Sequence, residues 1–277
     1  MTSWLESKAP IRFDDLLTSQ AVKDTLQTAS TGLNPPHLLL SGPSGVGKTA
    51  IMRLIARQLL GPGWQSTTHI LNAKDLSRTA GAMKVFEEFI RPSGSSSSLA
   101  GLTSLDIFTE TLAEVPDDNG PPSGDETFNL NSDGRIKLSR IIVIEDADYL
   151  GNLRQAYLRR MMEQSSLTSR FIFTTTTPSR LIEALRSRVQ HIRLSRYDKQ
   201  VIEDKLDSIV VGENLQPARG VIGDIAHVSE GNIRKAIFIL ELMSKRDLLN
   251  NRRHLQHLVS TTKVRELQQV LEAVSYT

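Results

Sequence analysis

Five short apolar runs punctuate the first two thirds of the chain: HLLLS at 37–41, THIL at 68–71, IIVIE at 141–145, RFIFTTT at 170–176 and VQHIRL at 189–194. Runs of this length, bounded by polar or glycine-rich stretches, predict strands buried on both faces. Between them, apolar residues recur at helical spacing. Ile51, Leu54, Ile55 and Leu59 do so behind a glycine-rich turn, and similar patterns predict helices over 79–91, 152–164 and 180–187. Strands alternating with helices imply a parallel sheet covered on both faces. After Leu194 the strand signals stop, and 198–210, 219–229 and 232–245 read as three helices. The pattern therefore predicts an α/β core over 1–195, a small helical unit over 196–245 and a short helical tail over 246–277. Helices are expected in that tail at about 252–260 and 263–274. The second would put Val264, Leu267, Leu271 and Val274 on one face, a stripe expected to seek a partner.

Residues 93–139 break the alternation. They begin with SGSSSS, carry PDDNGPPSGD, and join a helix to a core strand where roughly 2–6 residues are usual. The stretch reads as a mostly mobile insertion with one short helix at 102–114. Its charge changes the picture of the whole protein. Between Ser93 and Gly134 there are eight acidic residues and no Lys or Arg. Taking those eight from the 31 in the chain leaves 23 acidic against 33 basic residues, an excess of ten that the overall net charge of +2 conceals. A basic body suits an anionic partner such as nucleic acid, or simply a solvated basic face.

Composition narrows the class. At 277 residues, 39% hydrophobic and 23% charged, the chain can bury one or two sizeable cores. No apolar run approaches the roughly 20 residues that span a bilayer, and Met1 to Pro10 lacks the features of a signal peptide. The absence of cysteine excludes disulfides and thiolate metal sites and fits a cytoplasmic protein. The histidines, His254 and His257 included, have no metal-binding spacing.

The candidate chemistry begins at GPSGVGKT, which is Gly42, Pro43, Ser44, Gly45, Val46, Gly47, Lys48 and Thr49. It satisfies GxxxxGK[ST] between an expected strand and an expected helix, the context that gives the pattern meaning. Glycines let the backbone wrap a phosphate, so that loop N–H groups and the positive end of the helix point at it. Lys48 is expected to bridge the β- and γ-phosphates of ATP and Thr49 to ligate Mg²⁺. A second constellation ends the run IIVIEDADYL, where Glu145 and Asp146 follow four apolar residues. Many nucleotide hydrolases carry the opposite order, Asp serving the metal and Glu the attacking water. The pair is expected on a strand beside the phosphate-loop strand, delivering its carboxylates to the same edge. Three readings stand for the reversed order: a working site, a weakened one, or an ordinary strand end. A weakened site is the expectation, because Asp146 is one methylene short of a Glu.

Further segments carry a family resemblance. WLE (4–6), FDDLLTSQ (13–20), LNAKD (71–75), LRQAYLRRMMEQ (153–164), SRFIFTTTTPSRLIEALRSRV (169–189) and GNIRKAI (231–237) occur in the order found in the small subunits of archaeal and eukaryotic replication factor C clamp loaders. The sequence resembles that family, within the AAA+ ATPases, over roughly residues 4–245. The resemblance implies an α/β P-loop AAA+ core with a five-stranded parallel sheet, a helical lid and a collar, of which this chain has room for a short part. It implies ATP and Mg²⁺ as cofactors. The implied partners are the other subunits of a hetero-oligomeric ring, a sliding clamp and primer–template DNA, with no membrane. Thr176 falls at the sensor 1 position, where the family often has Asn. Arg188 falls at the arginine finger that completes a neighbour's site in trans, and Arg234 at the sensor 2 arginine. Glu145 falls on the metal side and Asp146 at the catalytic carboxylate, in reversed order. Arg78 and Lys84 are expected to face DNA from a helix starting near Arg78. Two other readings remain open: a ring member that binds ATP without hydrolysing it, and another DNA-associated AAA+ switch, such as an initiator or a transposition helper.

Overall fold

A computed structural model describes residues 3–90, 120–124, 138–164, 168–255 and 257–258, so the helices expected at 102–114 and 263–274 lie outside the described residues. The chain divides into two compact units, Ala9–Ser195 and a second in which the opening residues through Lys8 join those from Arg196 onward.

The helix α1 (Trp4–Ser7) opens the chain and belongs to the second unit. In the first unit, all five expected strands form: β1 (Leu38–Ser41), β2 (Thr68–Asn72), β3 (Arg140–Glu145), β4 (Ser169–Thr175) and β5 (Gln190–Arg193). They make one sheet in the order β2-β3-β4-β1-β5, every neighbouring pair parallel. The continuous apolar runs are explained by burial on both faces, since Leu39, Leu40 and Ile141 to Ile144 are fully buried. At the edge, β5 is short and presents Gln190 and Arg193 to solvent, two features that blunt a free strand edge. The described helices of this unit are α2 (Gln20–Thr31), α3 (Lys48–Leu60), α4 (Trp64–Thr67), α5 (Ala73–Leu76), α6 (Ala82–Ile90), α7 (Gly151–Gln164) and α8 (Glu183–Arg186). The single helix expected over 79–91 is shorter, because Gly81 at φ 71° turns the chain immediately before α6. Arg78 therefore lies in the turn between α5 and α6 and not on a helix.

Five described residues of the long segment dock on this unit. Pro121 to Gly124 form a turn closed by Gly124 N–H to Pro121 C=O, and Pro122 is buried. The Phe13 N–H donates to Pro122 C=O, the Ser123 N–H donates to Gln58 Oε1, and Arg57 Nη2 donates to both Ile11 C=O and Gly120 C=O. The turn thus ties the back of α3 to the stretch around Phe13.

His37, just before β1, makes the stability of this unit depend on pH. The Phe171 N–H donates to His37 Nδ1 at 3.0 Å, which requires that nitrogen to be unprotonated. Burial, with the neighbouring Arg170 guanidinium, lowers the His37 pKa to about 4. A folded-state value below the unfolded one means that the unfolded chain binds more protons between pH 4 and 6.5. The contribution is complete above pH 6.5 and is lost as the pH falls towards 4. At pH 5 it amounts to about 2 kcal/mol less stability than at pH 7. Denaturant melts at the two pH values should show this difference, and His37→Asn, which keeps an acceptor in place, should shrink it. An unchanged slope would contradict the assignment.

The second unit is helical: α9 (Lys199–Gly212), α10 (Val221–Ser229) and α11 (Ile233–Lys245) enclose Ile202, Leu206, Ile225, Leu240 and Met243. Trp4 and Leu5 pack on this cluster, which is why the first residues group here and not with the core they were expected to join. Glu241 is 5% exposed and accepts from Ser3 Oγ (3.1 Å), the Trp4 N–H (3.1 Å) and Lys245 Nζ (2.6 Å). Burial pushes its carboxyl up, but these hydrogen bonds outweigh burial and hold it below its ordinary value. Before α11 the chain needs Gly231, at φ 79°, because a Cβ there would lie 2.6 Å from Arg196 Cβ.

Candidate nucleotide-binding site

The strands of a parallel sheet all end at one edge, and the site is built there. Beyond Ser41, the last residue of β1, the Gly42 N–H donates to Thr175 C=O (3.1 Å), while the Leu194 N–H donates to Ser41 C=O (2.7 Å). The loop therefore leaves the sheet held between the ends of β4 and β5. A Cβ on Gly42 would collide with the Leu194 carbonyl oxygen, so the first glycine of the motif is required for close approach. Gly45 (φ 79°) and Gly47 (φ 92°) are left-handed, and Gly47 caps α3. Val46 is fully buried and anchors the loop from beneath, while Ser44 is exposed. Lys48 folds over the loop it follows, its Nζ donating to Gly42 C=O (2.6 Å) and Pro43 C=O (2.8 Å).

Thr49 Oγ1 lies 3.4 Å from Glu145 Oε1. These two oxygens suit Mg²⁺, which is bound through few protein oxygens plus substrate phosphates rather than by a protein cage. Among the described residues no three of His, Cys, Asp or Glu gather as a metal site. A glycine-shaped loop at the head of α3, a lysine on that loop and this oxygen pair fit ATP with Mg²⁺ chemically.

Glu145 does not come from the strand next to β1, as expected. β4 lies between β3 and β1, and Glu145 reaches Thr49 past the end of β4. All three strands stop at the same edge because they are parallel, so adjacency is unnecessary. Asp146 follows in the left-handed region (φ 50°, ψ 45°) and begins the 3₁₀ turn Ala147–Tyr149. That backbone is unusual for any residue with a side chain and is tolerated best by Asp and Asn.

Thr176 is exposed directly after β4. Sequence reasoning passed over its neighbour Thr175, which is fully buried and donates from Oγ1 to Asp148 Oδ1 at 2.6 Å, and accepts there from the Thr177 N–H at 3.0 Å. A threonine ending a buried strand, with a further carboxylate two residues after Asp146, was the signal available for this pair.

Arg188 lies apart from these groups. It precedes β5, whose Gln190 pairs with Leu38 at the start of β1, so it sits at the opposite edge of the sheet from the loop. Its Nε (3.1 Å) and Nη2 (2.7 Å) both donate to Glu163 Oε1 on α7, in a pair with side-chain exposures of 36% and 46%. Arg234 is in the second unit, exposed on the first turn of α11, with no ion pair among the described residues. Arg78 is exposed, and Lys84 is 84% exposed with Glu88 at 3.9 Å.

The chain is similar to replication factor C small subunit 1 of Pyrobaculum arsenaticum, 29% identical over 239 residues, covering 86% of this chain and 61% of that protein. It is similar to the replication factor C small subunit of Methanoculleus marisnigri at 28% over 240 residues, covering 87% and 62%. The chain thus spans about three fifths of the length of these relatives. Among solved structures, the Thermotoga maritima RuvB Holliday junction branch migration motor superposes with a TM-score of 0.58 at 16% identity, covering 91% of this chain and 72% of that one, a likeness of fold. Residues 18–174, more than half the chain and the stretch that contains the phosphate loop and both strand-end carboxylates, match the AAA ATPase domain, and the chain belongs to that family.

Proposed function

We propose that this chain is an ATP-binding subunit of a sliding-clamp loader acting in DNA replication in the cytoplasm, coupling ATP binding and hydrolysis to clamp placement on primer–template DNA. The observation that carries the reading is the meeting of Lys48, Thr49 and Glu145 at one sheet edge, in a chain whose sequence relatives are clamp-loader small subunits. Lys48 neutralises the β- and γ-phosphates, and the loop N–H groups and the head of α3 orient them. Mg²⁺, when bound, offsets charge between these phosphates. Thr49 and Glu145 hold it, Glu145 with one methylene more than the Asp usual at that place. Thr176 takes the sensor 1 role toward the γ-phosphate, and Arg234 takes the sensor 2 role. Arg188 serves a neighbouring subunit's site in a hetero-oligomeric ring. Arg78 and Lys84 contact DNA phosphates without reading sequence.

The reversed carboxylates make hydrolysis slow. Asp146 falls roughly 1 Å short of the water that a Glu would orient, and misplacement of that size costs on the order of 10²-fold. In a complex with the other ring subunits and clamp, primed DNA should stimulate ATP turnover. The double substitution Glu145→Asp with Asp146→Glu should raise that turnover at least several-fold by the same estimate, with some loss of stability because position 146 is left-handed. Turnover indifferent to primed DNA would count against a loader. A rate that stays level or drops in the double variant would show the present order to be competent.

A further inference from the structure

Thr175 ends β4 fully buried, and its polar atoms serve three parts of the site at once. Its carbonyl accepts from Gly42, the first residue of the phosphate loop (3.1 Å). Its hydroxyl donates to Asp148 (2.6 Å), in the turn that Asp146 begins, and accepts from the Thr177 N–H (3.0 Å), just beyond Thr176. The hydroxyl's proton and a lone pair are therefore both used, in a place water does not reach. A short hydroxyl–carboxylate hydrogen bond of this kind is charge-assisted and among the stronger ones. Ala147 and Leu150, both fully buried, anchor the same turn on the core, and the Asp148 contact ties it to the end of β4.

We infer that Asp148 is a positioning residue that acts through Thr175: the pair locks the left-handed turn bearing Asp146 and the strand end bearing Thr176 to the phosphate loop. In this reading both act through the turn and the strand end, not by contact with nucleotide. Their effect falls on groups at the γ-phosphate, which ADP lacks. This inference rests on the nucleotide-site reading above, and its consequence is a change in discrimination between ATP and ADP and not in nucleotide binding as such. A contact that only stabilised the fold would lower the melting temperature and leave that discrimination alone.

The test uses the full chain and equilibrium affinities, with Mg²⁺, for ADP and for a non-hydrolysable ATP analogue. Asp148→Ala and Thr175→Val should each lower the ratio of analogue to ADP affinity about tenfold, the scale of one lost charge-assisted hydrogen bond, while ADP affinity stays within about twofold and so reports an intact loop. The double variant should lose no more than either single one, because the two groups act as one unit. Thr175→Ser, which keeps the hydroxyl, should keep the ratio. An unchanged ratio in the single variants, losses that add, or a Ser variant as damaged as the Val variant would each overturn the inference. Failure of the unmodified chain to bind ADP would instead remove the nucleotide-site reading, and the inference with it.

Discussion

Lys48→Ala is expected to reduce ATP affinity by at least two orders of magnitude, the scale of about 3 kcal/mol for losing a partly buried charge-assisted contact. The side chain is already gathered over the loop by Gly42 and Pro43 carbonyls, so its ammonium is held where phosphate oxygens would take over those contacts. No second cation stands in the motif itself: GPSGVGKT supplies a single lysine. Because Lys48 contributes no packing to the core, the variant should melt within about 1 kcal/mol of the parent. Equal nucleotide affinity in parent and variant would contradict the phosphate-loop assignment.

Arg188→Ala is expected to leave this chain's own ATP affinity within about twofold and to lower turnover of the assembled complex by about 10³-fold or more at the neighbouring site, the range for an arginine supplied in trans. The geometry argues against action in cis. Arg188 is at the edge where β1 begins, and the loop is at the edge where β1 ends, a separation of roughly 13 Å of strand before any side-chain reach is counted. Its present partner does not hold it strongly. The pair with Glu163 is more than a third exposed on both sides, and such pairs contribute between about 0 and 1 kcal/mol, so the guanidinium can exchange Glu163 for a phosphate of another subunit. Two measurements separate the possibilities. Weakened ATP binding by the variant alone would contradict action in trans, and unchanged turnover by the complex would leave Arg188 as a surface ion pair.

The strands β1 and β3 were legible because burial on both faces leaves an unbroken apolar run, and the phosphate loop because its glycines answer a local backbone demand. What escaped the sequence is non-local. The insertion of β4 between β1 and β3 puts Thr175 rather than Glu145 beside Gly42, and no spacing along the chain encodes that order. The placement of Trp4 against Glu241 joins residues 237 positions apart. The helix α2 went unseen because QAVKDTLQTAST is mostly polar and buries only Leu26, Ala29 and Ser30, too few for an apolar stripe. The turn at Pro121 to Gly124 reads as loop sequence, and only its hydrogen bonds to Phe13 and Gln58 give it a place. In the site, the left-handed backbone at Asp146 supplies a reason, absent from the sequence, for an Asp at the position where a Glu was expected.

At the centre stands the proposal that the loop from Gly42 to Thr49 binds ATP together with Mg²⁺ held by Thr49 and Glu145. The most direct test is an equilibrium titration of the full chain with ATP across a range of Mg²⁺ concentrations. One nucleotide per chain, bound more tightly as Mg²⁺ rises, is the expected result, with the Mg²⁺ dependence weakened in Glu145→Ala. No saturable binding, or binding whose affinity ignores both Mg²⁺ and Glu145→Ala, would contradict it.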